Sequence, residues 1–538
     1  MKQGQRVRQA PGIHGDLPIA MRVGRGLYQA TVVYGLMLLL TGCTTVGPDF
    51  SSPRPPAESQ VTPEASVPRT VSAPVALGES QEFSATAHAG EEWWKAYRST
   101  ALNQVVAQGL AQNPTVAAAQ ASLIQAGEYA AAVRDNLTVP TVDAQLGQTR
   151  ERLSTAAFGL PGGQAYTFSL TNASVNVAYP LDVFGGNRRQ IEALEAQHEM
   201  QAHLWQAARE TLIANIVTTV VREATLRDQR DATDAVIQAQ TEILALARQR
   251  QSLGALSSND VQEPAADLAL SRATRLSLEQ QLDQTRHQLA AYLGQTPAEF
   301  PLPEFHLADL HLPQQLPRAV PSELVHRRPD IRASEAQWHQ ASANLGVTIA
   351  GAYPAVNLTG SMGAMALTPG TLFNAASSVW SLGAGVVQPL FHGGALAAEK
   401  RGAEAALQAA AAQYRKTVVE AFRSVADVLR ALDHDASTLV VEQEAADAHQ
   451  QSLDLADHQY AVGGVSYLTV LNARVQSGLA HQGVAQAQGG RLADTAAFYL
   501  ALGGESPSGS SVPESSETGT PSGPLSTRSS DPAVSALR

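Results

Sequence analysis

Few residues of this 538-residue chain stand in a pattern that could do covalent or metal chemistry. The sole cysteine, Cys43, has no partner for an intramolecular disulfide, so its thiol is free for another use. It is preceded by Leu40-Thr41-Gly42, by an apolar run over residues 31–39 and, further upstream, by Arg22 and Arg25. Basic residues, an apolar run and then small residues at a cut site are the order of a secretory signal. A buried strand carrying a core thiol is the competing account, and it leaves the basic flank unexplained. Asp433-His434-Asp435 offers three metal-ligating side chains in a row. In mid-helix, neighbours at i+1 point apart, so a solvated face is expected there and no metal site. A Walker-type glycine loop and a Gly-x-Ser-x-Gly elbow are both missing, and only six methionines occur, too few for a soft-metal relay. The expectation is therefore a chain with no catalytic residue, no cofactor and no resident metal.

Leu40-Thr41-Gly42-Cys43 resembles the lipobox of bacterial lipoproteins, in which the cysteine becomes the first mature residue and carries lipid, palmitate included. Thr44 follows where an Asp would hold the protein at the inner membrane, so the resemblance implies an outer-membrane destination. Met21 gives a better-shaped signal than Met1, and translation is expected to start there. The formal charge of −12 argues against a nucleic-acid partner, which needs a basic surface to neutralise phosphate. After the signal there is no apolar run of about 18 residues, so any membrane span must be built from strands.

The elements that follow are legible from breakers and periodicity. Residues 51–89 are rich in Pro, Ser and Ala and predict an extended tether. Trp93-Trp94 opens the folded part and is expected in the core. A short helix over residues 102–110 precedes a second that starts at Asn113-Pro114, a cap followed by proline at the first helical position, and breaks at residues 137–140. Val142, Ala144 and Leu146 then alternate with Asp143, Gln145 and Gly147, and Ala173, Val175, Val177 and Tyr179 with Ser174, Asn176 and Ala178. Period two with one apolar side predicts two strands with one greasy face. Residues 187–250 lack proline and glycine, which predicts a helix of roughly 95 Å with Leu194, Leu204, Leu212, Ile216 and Val220 as its larger anchors. A turn around Gly254 and Ser257 reverses it. Pro264 is expected to delay the returning helix by a turn. Residues 297–321 are proline-rich, with room for little more than a short helix.

The order then repeats. Pro114 and Pro329 are 215 residues apart, Pro140 and Pro354 214, and Pro180 and Pro389 209, as are Gly254 and Gly463, and Ser257 and Ser466. Landmarks at nearly one offset, between the same element types, mark a duplication of a whole unit: helix, strand, strand, long helix, turn, helix. The expected boundaries are signal 1–42, anchor and tether 43–89, first repeat 90–322, second repeat 323–504 and a disordered Ser/Pro/Gly tail 505–538. Four strands cannot close a barrel, and open edges in lipid leave backbone groups unsatisfied. Three chains would supply twelve, an ordinary count for an outer-membrane barrel. A plain helical bundle with two small hairpins is the alternative that periodicity alone leaves open.

Five stretches carry a resemblance to bacterial outer-membrane efflux proteins, the TolC-like outer-membrane factors, covering residues 43–504. They are Thr41-Gly42-Cys43-Thr44-Thr45-Val46-Gly47-Pro48-Asp49-Phe50, Tyr179-Pro180-Leu181-Asp182-Val183-Phe184-Gly185-Gly186, Arg328-Pro329-Asp330-Ile331-Arg332-Ala333, Gln388-Pro389-Leu390-Phe391-His392-Gly393-Gly394 and Tyr460-Ala461-Val462-Gly463-Gly464-Val465-Ser466-Tyr467-Leu468. The closest branch looks like the lipidated one serving drug and metal pumps. The resemblance implies a mainly α protein with a membrane β-barrel: a twelve-stranded homotrimeric barrel continued by a long α-helical periplasmic tunnel. It implies a passive exit duct for drugs or other small toxic compounds. The partners implied are a periplasmic adaptor, an inner-membrane pump and outer-membrane lipid. The tunnel's inner tip would be formed by Gly254, Ser257 and Asp260 in the first repeat and by Gly463, Gly464 and Ser466 in the second. Acidic side chains near such tips constrict the opening and select cations; Asp260 matches one position, while Val465, Thr469 and Asn472 stand where relatives often carry acids. Asp260 as a plain helix cap is the competing account. A lipid-anchored structural or adhesive coiled-coil protein is the alternative for the whole chain, and a periplasmic anchored enzyme a third.

Overall fold

The computed structural model describes residues 45–54, 68–84, 87, 90, 92–154, 165–298 and 303–504. The expected signal, with Leu40, Thr41, Gly42 and Cys43, and residues 505–538 lie outside the described residues. A short strand β1 (Glu82–Ser84) comes first. The first repeat follows as α1 (Thr100–Gln112), α2 (Pro114–Thr138), β2 (Thr141–Ser154), β3 (Ala165–Leu181), α3 (Gly186–Ser252) and α4 (Ser258–Tyr292). A strand β4 (Gln315–Pro317) leads to the second: α5 (Pro321–Arg327), α6 (Pro329–Ala350), β5 (Ala355–Ala366), β6 (Ser378–Val387), α7 (Ala395–Ala461) and α8 (Tyr467–Leu502). The long helices α3 and α7 have 67 residues each, or roughly 100 Å. Each starts from a glycine in the left-handed region, Gly185 at φ 81° and Gly394 at φ 88°, where a side chain would be strained.

β2, β3, β5 and β6 form one antiparallel sheet in that order. Its registers place Ala144, Val175, Met362 and Trp380 in one cross-strand row and Asp143, Asn176, Ser361 and Ser381 in the next. Alternation at the sequence level thus becomes one apolar and one polar face. On the polar face the Ser361 and Ser381 hydroxyls meet at 2.8 Å. Among the described residues, neither the outer edge of β2 nor that of β6 is paired.

The helices form a layer. Near the sheet α3 lies between α2 and α6, with ion pairs from Glu195 to Arg134 and from Glu199 to Arg332. Away from the sheet α3 lies between α4 and α8, joined by Asp234 to Arg275 and by the Thr233 hydroxyl accepting from Gln482 at 2.9 Å. α7 packs on α6 and then on α8 along the far side. At every level the layer is four helices wide, and α7 and the α2/α4 stack are its ends.

The main core sits at the waist, where Tyr97, Leu102, Ile216, Val220, Leu293, Phe305, Val425, Leu432 and Phe498 are buried together. Trp93 stacks on Tyr499 with centroids 5.1 Å apart, and its indole N–H donates to Glu210 at 3.3 Å. Glu223, fully buried on α3, accepts from Arg227 and Arg286, each at 3.0 Å. Burial pushes its carboxyl pKa up against the pull of the two guanidiniums.

Several expectations need correction. α4 begins at Ser258 and carries Pro264 inside it, because proline so early removes a single bond and the cap at Ser257 already fixes the start. α2 ends at Thr138, inside the expected break over residues 137–140. The linker after α4 holds more than a short helix: β4 pairs in parallel with β1 as a collar around the waist. Leu212, Ile216 and Val220 are buried as anchors, but Leu204 is exposed. Asp435 does not lie on a solvated face. It is turned inward against α8, and burial plus the neighbouring Asp494 carboxylate, with which it can share a proton, push its pKa up to about 7.

Candidate functional site

Three places carry the geometry that function would use. The first is the end of the layer farthest from the sheet. Gly254 (φ 73°) and Gly463 (φ 79°) make the α3–α4 and α7–α8 reversals possible. In the first turn Ser257 and Asp260 form a reciprocal capping box: the Asp260 carboxylate accepts from the Ser257 N–H at 2.8 Å, and the Asp260 N–H donates to the Ser257 hydroxyl at 3.3 Å. The backbone bond from Ser257 holds the Asp260 pKa below the usual range, so this exposed carboxylate is charged. In the second turn Ser466 accepts from the Thr469 N–H at 3.4 Å, with no acid in the box. The structure thus places Gly254, Ser257, Asp260, Gly463, Gly464 and Ser466 all at one end. It shows Asp260 as a cap, and the cap leaves its charge in solvent. The Tyr467 hydroxyl donates to Glu242 of α3 at 2.6 Å and its ring packs on Tyr460 at 5.2 Å. The hydroxyl bond ties the second turn to the first repeat, and the ring contact braces the second turn itself.

The second place is the base of the sheet, where residues 45–50 pack. The Val46 N–H donates to the Phe184 carbonyl at 3.1 Å. Arg189, buried at the start of α3, donates to the Val46 carbonyl at 3.1 Å and reaches Asp49 at 2.5 Å. Phe50 stacks on His339 of α6 at 4.5 Å, and His339 contacts Glu192 at 2.9 Å. Gly47 lies so close to Gly346 that a β-carbon on it would come within 2.5 Å of the Gly346 Cα. The chain just after Cys43 is therefore clamped where strands give way to helices.

The third place is the waist, where sequence reasoning missed a polar ladder. Gln488, Arg491 and Thr495 share one face of α8 and hold the strap over residues 76–81. Gln488 donates to the Ala76 carbonyl, Arg491 to those of Leu77 and Glu79, and Thr495 accepts from Gln81, all within 2.9 Å. The spacing i, i+3, i+7 was the available signal; it is common to any helix face and names no partner. Nearby, Asp228, Asp231 and His306 bring ligand atoms within 4.8 Å of one another. Asp228 is already 3.2 Å from the His306 ring and Asp231 2.7 Å from Arg230, so each carboxylate has a partner.

No helix among the described residues is long and apolar enough to cross a membrane. The apolar face of the sheet is exposed instead, with Leu146, Met362, Trp380, Leu382 and Val386 each more than 60% accessible. That is the pattern of a lipid-facing sheet.

Known proteins resemble this chain across both repeats. Residues 105–295 and 320–504 match the model of the family described as outer membrane efflux protein. The chain is 28% identical over 472 residues, covering 87% of it and 96% of the relative, to the pyoverdine export outer membrane protein OpmQ of Pseudomonas putida. It is 27% identical over 473 residues to the toluene efflux pump outer membrane protein TtgI of Pseudomonas putida, covering 87% and 96%. Among solved structures, the outer-membrane channel OprN superposes with a TM-score of 0.73 at 27% identity, over 86% of this chain and 99% of that one. The open MtrE channel of Neisseria gonorrhoeae gives 0.69 at 25%, over 86% and 98%. The layer of long helices is a tunnel wall and the four-stranded sheet a share of a β-barrel, and the chain belongs to the outer membrane efflux protein family, as an outer-membrane channel of an efflux system.

Proposed function

We propose that three copies assemble with β6 of each beside β2 of the next. That yields a twelve-stranded barrel above a tunnel wall twelve helices around, roughly 100 Å long. The observation that carries this reading is that sheet and helical layer are both open at the same two ends. A sheet edge in lipid leaves N–H and C=O groups unsatisfied at several kcal/mol each, and only closure removes both edges. The duct is passive and performs no catalysis. Its cargo is drugs or other small toxic organic compounds, in keeping with the pyoverdine and toluene named for its relatives. A periplasmic adaptor and an inner-membrane pump engage the helical tip and open it, which requires the Tyr467–Glu242 bond to break.

Residues 1–42 serve as the signal, and Cys43 carries the lipid. The clamp on Thr45 to Phe50 supports this: it fixes the first mature residues at the base of the barrel, level with the inner leaflet. Three Asp260 carboxylates around a narrow tip repel one another and draw in cations. Electron microscopy of the detergent-purified protein tests the assembly. A threefold hollow tube is expected, and a monomer or a solid rod refutes it. Mass spectrometry of the mature N-terminus should find an acylated Cys43, lost in Cys43→Ser. Asp260→Ala should change single-channel cation selectivity while the trimer persists; unchanged selectivity leaves Asp260 a cap alone.

A further inference from the structure

Each chain has two corners where a strand turns into a long helix, and they are filled differently. The offset of 209 residues aligns Asp182 with Phe391, Phe184 with Gly393 and Gly185 with Gly394; the offset of 214 aligns Tyr353 with Val139. In the first corner the Asp182 carboxylate accepts from the Asn187 and Arg188 N–H groups at 3.1 and 3.0 Å. Phe184 packs on Tyr353 with centroids 5.0 Å apart. Thr45 closes the corner so tightly that a β-carbon on Gly185 would come within 2.6 Å of it.

The second corner has none of this. Among the described residues, nothing lies within 4 Å of a β-carbon built on Gly394. The capping acid is replaced by Phe391, which is 86% exposed beside Leu390 at 91%. The chain has one N-terminal segment and cannot fill both corners. In the first corner the covering side chain, Tyr353, comes from the helix-to-strand turn of the element next in the layer. Beyond α7 and β6 the next element can only be α2 and β2 of another copy, where Val139, the counterpart of Tyr353, is 56% exposed.

We propose that the second corner is completed between copies: Leu390 and Phe391 of one chain pack on the α2–β2 turn of the next, around Val139. Volume supports the match. An aromatic pair in the first corner, Phe184 and Tyr353, becomes Gly393 and Val139, and an aromatic ring reappears two positions earlier as Phe391 in place of an acid. The corner trades a helix cap and an N-terminal plug for an apolar contact that forms only on assembly.

This rests on the threefold assembly above, and the test separates the two. Cys43 is the only native cysteine, so Val139→Cys with Phe391→Cys introduces the only new pair. A short bis-maleimide linker on the full-length protein in detergent should give covalent dimers and trimers on denaturing gels, and neither single variant should. A trimer by light scattering with no cross-link overturns the corner contact alone; a monomer overturns both. As a second measurement, Phe391→Asp restores the acid the first corner carries, so helical content should be unchanged. Its trimer should dissociate in warm detergent about tenfold faster, equivalent to ~1.4 kcal/mol. An unchanged dissociation rate refutes the contact.

Discussion

α3 and α7 have the same length, the same left-handed glycine before them and the same turn after them, yet they live in different surroundings. α3 has neighbours on both flanks along its whole length, while α7 has them on one. Equivalent positions show what this does. Glu210 on α3 is buried against Trp93, and its counterpart Val419 on α7 is 67% exposed. Glu223 is a buried charge held by two arginines, and its counterpart Leu432 is an ordinary core residue. Leu226 is buried, and its counterpart is Asp435. Duplication copied a unit, and position in the layer then decided what each copy's side chains could become. A helix in the middle can bury charge because partners surround it; one at the end keeps apolar residues exposed because its partner belongs to another chain.

The comparison can be broken most sharply at Glu223. Glu223→Ala removes the buried carboxylate that Arg227 and Arg286 share and should cost about 3 kcal/mol, read as a lower thermal inactivation midpoint. Glu223→Leu with Arg227→Ala writes the second repeat's residues, Leu432 and Ala436, into the first and should recover at least half of that loss. If the double variant is no better than the single one, the two waists are not interchangeable. Val419→Asp on α7 should spare one copy's helical content. Trimer lifetime in detergent should fall about a hundredfold, equivalent to ~2.7 kcal/mol, since a valine side chain would no longer be buried on assembly.

Asp435 gives a smaller, pH-dependent effect. Its pKa is raised on folding to about 7 from 3.8, so between those values the folded chain holds a proton that the unfolded chain has released. Stability should therefore fall as pH rises through that window and level off above it. Asp435→Asn should be the more stable protein at pH 8, by about 1–2 kcal/mol after screening, and its advantage should vanish near pH 4. A wild-type curve parallel to the variant's across that range would contradict the inward placement. Smallest are the caps: Ser257→Ala and Ser466→Ala should each cost about 1 kcal/mol. The first should be milder if the Asp260 box compensates.

How much of this was legible beforehand follows from the kind of information needed. Prolines and glycines fix local backbone, so the reversals at Gly254 and Gly463 and the strand boundaries at Pro140 and Pro354 were visible. Period two carried the sheet's faces, including the apolar row from Ala144 to Trp380. Which way Asp435 turns was not visible, because i+1 spacing says that neighbours diverge and not which of them meets α8. Arg491 looked like any helix arginine, since its partners are backbone carbonyls more than 400 residues earlier. Pro264 was misjudged because a rule about helix interiors was applied within two turns of a strong cap. The residues of the two helix reversals are marked by their glycines and serines, but the Tyr467–Glu242 bond joins two repeats and has no local trace.

The two unpaired sheet edges have a genetic consequence. A ring with three identical seams is only as sound as its worst one, so a copy damaged at β2 or β6 harms the good copies it joins. In a cell making intact and edge-damaged chains in equal amounts, about one ring in eight contains only intact chains. Alleles altered at these edges should act as dominant poisons, whereas alleles that destroy the fold outright, and so never reach the ring, should be recessive.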